Sequence, residues 1–495
     1  MTLPLNPAPA TRPHPGSPPA TDRRVPWKHA GMLMAVTFSG LQLLNEVGAM
    51  MAIPLYSSMS IDLGLTPAQV SWALLSTLLM GAASIPLLSK AGDLFGHRRV
   101  MLVCIVGIFA GYVISALAAS FLVLVIGRAL TGIMAGQALV VGIMNDRLST
   151  FDRKKAIGII AGGQAIGVTA GFALGGAMVA VGATWRTSFW IGAGLTALSL
   201  AGMLLWGSDS DALLRNRGTK QRIDILGVTL LGISLTALCI GISQSTVWGF
   251  FSAPTFLWVG GGIAGLVLSL VAESRSRQPL VDVRQLLSTR LLPAYLVFVA
   301  LGAAGIMIFN FVMGWAQTPP AVAGYGFGLS PLMAGFLFIP MTIAGVVVSI
   351  AVPRLLHRVA PRGPFIAGAV LLTFSFIWLF FMHTHLWAVV AGILFYGVAY
   401  TSVLTIAISV IAAEAPAGRG AGTASLYVAI ALSSSSIGTA IYAAIIGLNT
   451  SAAAPLPPAG NYGIGFLTAA AICLVAVGST LALSRSVRLT EVAGH

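Results

Sequence analysis

From residue 31 to residue 484 the chain alternates long apolar runs with short polar connectors. A helix that crosses a bilayer needs about 20 mostly apolar residues. On that measure spans are predicted near 31–57, 68–89, 99–119, 121–144, 157–181 and 187–206, then near 225–247 and 254–272, then near 291–316, 331–352, 364–382, 386–412, 421–447 and 462–484. These are fourteen predicted spans, grouped six, two, six by charged segments at 208–224 and 273–290. The grouping predicts an all-α membrane protein. Its parts are a six-helix bundle over 29–207, an inserted transmembrane hairpin over 225–272 and a second six-helix bundle over 291–485, the bundles related by a pseudo-twofold. Residues 1–28, rich in Pro, Thr and Ala, read as a disordered tail, and 486–495 as a second tail.

Charge orients this pattern. Of 27 Lys and Arg residues, all but Arg128 and Arg186 fall in one alternating set of connectors and the two tails. Positive residues stay on the cytoplasmic side during insertion, so both termini are predicted to be cytoplasmic. Charged residues make up 8% of the chain, against roughly 25% in a soluble domain. The net charge of +14 is spread over many short loops and not gathered on one face. That excludes a nucleic-acid partner and suits contact with anionic lipid headgroups.

Two other chemistries are set aside. Cys104, Cys239 and Cys473 each sit alone in an apolar run, which suggests neither a disulfide framework nor a metal site. The glycine clusters lie in apolar runs and lack the Gly-Lys-Ser/Thr ending of a phosphate loop. No cofactor is predicted.

Ionisable groups inside a membrane cost on the order of 2.5–3.5 kcal/mol each. Glu46, in the first run, is the one acid of 13 that cannot be placed in a loop, a tail or a span end. Gln42, Asn45 and Glu46 form a polar stripe by helical spacing. Desolvation disfavours the charged carboxylate there, so Glu46 can take up a proton on one side and release it on the other. A permanently protonated, hydrogen-bonded Glu46 is the structural alternative. Arg128, inside the fourth run, cannot readily deprotonate and needs a partner. Glu46 and backbone carbonyls are equal alternatives.

The connector Ser89-Lys90-Ala91-Gly92-Asp93-Leu94-Phe95-Gly96-His97-Arg98-Arg99 reads as a tight charged turn. It resembles the signature loop of the major facilitator superfamily, Gly-x-Leu-Ala-Asp-Arg-x-Gly-Arg-Lys. Asp93 and Gly96 match, and Arg98 holds the closing basic position with Arg99 beside it. Arg128, Gly132 and Gly136 resemble the family's fourth-helix motif. Gly167, Gly171, Gly175 and Gly176 resemble its fifth-helix antiporter motif, with Phe172 where Pro is usual. The count and grouping of spans resemble the fourteen-helix drug:proton antiporter branch. That branch usually carries Asp nine residues before the Pro that closes its first helix. Here Asn45 is nine before Pro54, and Glu46 is one step, about 100°, around the helix.

The resemblance implies proton-coupled export of small amphipathic compounds by alternating access, from a bacterial inner membrane, with the proton as coupling ion. It implies a cytoplasmic latch at Asp93, Arg98 and Arg99. The chain is read as a monomer and as no enzyme. Uptake or exchange of one metabolite, and a non-transporting sensor or scaffold, are the alternative readings. In the second half Pro353…Arg362 looks like a degenerate signature loop. Asn310, Trp315, Gln317, Tyr396 and Tyr400 are candidate pocket-lining residues. His383 and His385 have a spacing that could bind a metal, but no acid or Cys accompanies them, so no metal is predicted.

The charge asymmetry generates a topological prediction. A thiol introduced by Ser274→Cys should resist membrane-impermeant reagents in intact cells. Rapid labelling from outside would reverse the orientation.

Overall fold

The computed structural model describes residues 40, 43–44, 46–48, 50–133, 166–206, 225–275, 291–356, 358–414, 420–450 and 456–482. These residues are helical or in short turns, with no strand among them. Nine helices are long and apolar enough to cross a membrane, and five shorter apolar helices accompany them. In chain order the principal elements are α1 (Glu46–Leu55), α2 (Tyr56–Leu63), α3 (Pro67–Phe95), α4 (His97–Ala116), α5 (Phe121–Thr131), α6 (Ile166–Ala180) and α7 (Trp185–Trp206). After these come α8 (Ile225–Ser243), α9 (Ala253–Arg275), α10 (Leu292–Gln317), α11 (Ile339–Leu356), α12 (Arg362–Met382), α13 (Leu386–Glu414), α14 (Gly420–Gly447) and α15 (Ala459–Ala482).

Local chemistry sets several boundaries. Pro54 lacks a backbone N–H, and the chain tightens there into a 3-10 turn, Ile53–Leu55, before α2 continues. The first apolar segment therefore runs to Leu63, past its predicted end, and stops at Gly64 with φ 63°. Thr66 and Gln69 form a reciprocal capping box that starts α3. The predicted Ser89–Arg99 loop is almost all helix: α3 extends to Phe95, and Gly96, with φ 95°, turns the chain directly into α4. The tenth predicted span is broken at Leu337–Phe338, between Pro331–Phe336 and α11, because Pro340 cannot donate to the preceding turn.

Helix α10 is the innermost, with 83% of its apolar window buried, and α9 the outermost, with 17%. Helices α8 and α9 pack along each other, and α8 also touches α3 and α14. Helix α3 packs along α14, joining the segments before residue 225 to those after residue 291. Large apolar side chains such as Leu205, Leu257 and Leu474 face outward, as lipid-facing helices require.

Lipid tails are as apolar as the side chains, so helices associate through close packing and not through a hydrophobic drive. Gly111 and Gly127 show this between α4 and α5. A Cβ on Gly111 would lie 2.7 Å from the Gly127 carbonyl oxygen, and one on Gly127 would lie 3.0 Å from the Gly111 oxygen. Gly127→Ala should lower unfolding stability by about 1–3 kcal/mol, the usual cost of overpacking. Denaturant titration in micelles measures it. An unchanged midpoint would show that α4 and α5 separate freely.

Candidate functional site

Glu46 is 9% exposed on α1, and its position follows from glycines on α6. A Cβ on Gly167 would stand 2.7 Å from the Leu43 carbonyl oxygen and 2.9 Å from the Glu46 Cβ. One on Gly171 would meet the Met50 Cβ and the Val47 oxygen at 2.9 Å, and one on Gly175 the Met51 oxygen at 2.4 Å. Three glycines at four-residue spacing thus lay α6 against α1 over two turns. Gln42 and Asn45, the other members of the predicted polar stripe, lie outside the described residues.

Tyr112 of α4 runs between α1 and α7. Its hydroxyl occupies the space a side chain on Gly48 would fill, and its ring lies against Gly192. The Tyr112 hydroxyl lies within range of the charges of both Glu46 and Arg128. Across the molecule, Tyr400 of α13 lies within range of the Glu46 charge as well. A tyrosine in an apolar run gives no sign in sequence of which neighbour it will meet.

Arg128 is fully buried in the last turn of α5. Its Nε donates to the Ala73 carbonyl on α3 at 2.7 Å, and its guanidinium lies 5.5 Å from the Phe189 ring centroid. The Thr77 hydroxyl donates to the Arg128 carbonyl at 2.9 Å, which pins this turn of α5 to α3. Nη1 and Nη2 have no hydrogen-bond partner among the described residues. A buried cation with two bare nitrogens is a costly arrangement, and it favours the approach of an anion.

The other face of α6 meets the C-terminal half. A Cβ on Gly176 would fall 2.3 Å from the Leu332 Cα, so the backbones nearly touch. Phe172 is fully buried and stacks on Phe338 at 4.8 Å, with Phe309 5.4 Å away. Thr169 and Thr342 share a hydrogen bond. The residue that departs from the antiporter motif is therefore a wedge in the junction of the halves.

The signature segment is positioned as follows. Asp93 lies in the last turn of α3, its side chain outside the described set, and Arg99 is exposed. Arg98 donates through Nη2 to the carbonyls of Met203 and Leu204 at 3.4 and 3.2 Å, at the end of α7 in its own half. Arg362, in the degenerate second copy, donates to the Leu481 carbonyl at the end of α15, at 2.8 Å. The two contacts occupy equivalent places in the predicted six-helix repeats. Each puts a cation on the negative end of a helix.

At the opposite helix ends Arg186, the one basic residue outside both the basic connectors and the apolar runs, pairs with Asp62 and donates to the Ala118 carbonyl at 2.9 Å. Asp62 also accepts from the Trp185 indole at 3.0 Å. The Arg186 hydrogen bond, then that of Trp185, holds the Asp62 carboxyl below its usual range. The stability this gives is present at neutral pH and fades as pH falls through that lowered value.

The remaining candidates divide. Tyr396 packs edge-on to Phe376 at 5.8 Å and beside Tyr400 at 5.5 Å. Asn310 is buried, its amide donating to the Ile306 carbonyl at 2.8 Å. Trp315 belongs instead to an aromatic cluster with Tyr325, His383 and Tyr462, and Gln317 ends the same helix. His383 spends its Nδ1 on the carbonyls of Leu379 and Phe380 at 2.9 and 3.0 Å.

Residues 38–442 match the model of the Major Facilitator Superfamily. The Tetracenomycin C resistance and export protein of Streptomyces glaucescens is 27% identical, over 64% of this chain and 57% of its own length. The cephamycin export protein of Amycolatopsis lactamdurans is also 27% identical, over 70% of each chain. The chain spans about half (47%) of the length of a matching MFS-type transporter from Mycobacterium tuberculosis. A crystal structure of a peptide transporter in complex with sulfate superimposes with TM-score 0.64, at 16% identity, over 94% of this chain and 97% of that one. At that identity the likeness shows the fold alone.

The two faces of α6 make separable predictions. Gly176→Ala should push α6 off Leu332 and lengthen the distance between spin labels at Val181 and Val322 by several ångströms. Gly175→Ala, aimed at Met51, should destabilise the protein without that lengthening. Equal label distances in parent and Gly176→Ala would show that the junction yields without opening.

Proposed function

The chain belongs to the Major Facilitator Superfamily, and from that membership we propose that it is a proton-coupled exporter of small amphipathic compounds. The observation that carries this reading is Glu46. It is buried on α1, laid against α6 by the glycines, and lies near Tyr112 of α4 and Tyr400 of α13. A group so placed senses both halves, and its charge can alter how they meet.

The proposed cycle uses the residues in sequence. Protonated Glu46 is neutral and tolerates a closed, dry surrounding. When the proton leaves, the carboxylate needs water, a cationic substrate or a nearby cation. Arg128, whose Nη nitrogens are bare among the described residues and which shares Tyr112 with Glu46, supplies a local positive field. Substrate and proton then compete for one region, and competition of that kind couples their fluxes. The junction of Gly176 with Leu332 acts as the gate at the ends opposite the basic connectors. The segment with Asp93, Arg98 and Arg99 acts as the latch at the basic ends. Asp93 in the last turn of α3 opposes the helix dipole, a placement that stability alone does not favour.

The fourteen-span arrangement belongs to this proposal. The five shorter apolar helices stand where spans one, two, four, five and seven are predicted. The export proteins among the relatives support an outward direction, and the basic connectors support a cytoplasmic placement of both termini in a bacterial inner membrane. A mostly apolar interior with Glu46 well inside a predicted span suits neutral or cationic amphipaths.

The test is substrate-driven proton release from proteoliposomes. Glu46→Gln keeps the shape and removes the titration. It should reduce gradient-driven export at least about 100-fold, the scale of losing a positioned proton carrier, with insertion intact. Undiminished proton release would remove Glu46 from the mechanism. Flux in the uptake direction would replace export by import, and no flux in the parent would favour a scaffold.

A further inference from the structure

Helices α10, α12 and α15, with the turn at Gly324–Gly326, line an open cavity of about 590 Å³. Its lining includes the rings of Trp315, Tyr325, Phe380 and His383, with Gly460 and Gly463 on α15. None of α1, α4, α5 or α6 contributes to it, so it is distinct from the Glu46 region. We propose that this cavity is a second binding site, selective for neutral planar aromatic compounds, at the helix ends opposite the basic connectors.

The cavity is built before any ligand arrives. The Tyr325 hydroxyl donates to the Pro457 carbonyl, tying the chain after α10 to the chain before α15. The Trp315 ring lies 5.0 Å from Tyr325, 4.5 Å from His383 and 5.1 Å from Tyr462. Gly326 has φ 92°, and a Cβ there would fall 2.3 Å from the Thr318 carbonyl oxygen, so the rim turn has one shape. Bonds from the N–H of Gly328 to the Thr318 carbonyl (3.0 Å) and of Leu329 to the Ala316 carbonyl (2.8 Å) hold it further. Preformed walls spare a ligand the cost of ordering them.

Chemistry selects the ligand class. The volume lies in the range of small-molecule sites, about 300–1,000 Å³. Rings favour stacking with another ring, and the glycines leave room for a flat molecule. No carboxylate, Lys or Arg lines the cavity, so an ion finds no counter-charge there, and the attraction of a cation to the ring faces is smaller than the cost of taking an unpaired full charge out of water. His383 directs Nδ1 at two carbonyls, so Nδ1 carries a proton there. With the proton of the imidazole on Nδ1, Nε2 is the ring's acceptor, which suits a phenolic hydroxyl.

The full chain in lipid nanodiscs provides the test, without any gradient, so that neither result depends on proton coupling. Equilibrium dialysis would compare 2-naphthol with N-methylquinolinium, a cation of similar shape. The parent should bind 2-naphthol saturably above the empty-disc background and more tightly than the cation. Gly463→Leu, whose first carbon meets Phe380 at an ordinary 3.4 Å, should fill the space and weaken 2-naphthol about tenfold or more. A second readout needs no bulky variant. The native cysteines are buried, so a thiol introduced by Thr384→Cys on the rim should react with maleimide alone, and saturating 2-naphthol should slow it. Unchanged affinity in Gly463→Leu, tighter binding of the cation, or labelling that 2-naphthol does not slow would each overturn the proposal.

Discussion

The close approach of α6 to two neighbours at once is the constraint on which the rest of the structure depends. In lipid, helices gain little from hiding apolar side chains, so backbone-to-backbone contact has to supply the attraction. Gly167, Gly171 and Gly175 provide it toward α1 and so set the depth and facing of Glu46. Gly176 provides it toward Leu332, and so sets how the two halves meet. Since one rigid helix carries both contacts, a shift of α1 that follows a change of charge at Glu46 has a direct mechanical route to the junction. Phe172 adds an aromatic wedge on the same helix, where the family motif has Pro. The helix is continuous from Ile166 to Ala180, which lets it transmit displacement along its length.

Electrostatics works against burial at this place, and the balance differs from that at the helix ends. Arg186 and Asp62 are paired near water, where an ion pair contributes little and is screened. Arg128 is wholly removed from water, and among the described residues it has one hydrogen bond from Nε, an aromatic face and the nearby Tyr112 hydroxyl. Leaving a buried cation partly unsatisfied costs far more than an exposed pair returns. The fold keeps this arrangement beside Tyr112, which lies near Glu46 as well, and a strained charge of that kind is what the proposed coupling site would use.

The second charged feature has a structural duty as well as a proposed mechanical one. Arg98 and Arg362 each neutralise the carbonyl end of a neighbouring helix, α7 and α15 respectively. The repeat is thus expressed in side-chain chemistry even where the second copy has lost its acid, with His357 in the corresponding place. Two of the contacts of Arg98 lie within its own half, on the carbonyls of Met203 and Leu204.

Hydropathy alone determined that the chain is helical and membrane-embedded, because a backbone in lipid has few ways to satisfy its own hydrogen bonds. The rarity of charge in apolar runs singled out Glu46 and Arg128, and glycine spacing singled out the face of α6. Proline and glycine still misled at the boundaries: the signature loop proved to be helix up to Gly96, since one residue with positive φ suffices to reverse the chain. What sits beside each of these residues was not legible. That Gly176 faces the other half while Gly175 faces α1, that Tyr112 stands between the acid and the arginine, and that Trp315 leaves the pocket candidates for a distal aromatic cavity all depend on how helices far apart in sequence rotate and pack. One-dimensional periodicity says which face is apolar or small. Only three-dimensional packing decides which neighbour that face meets.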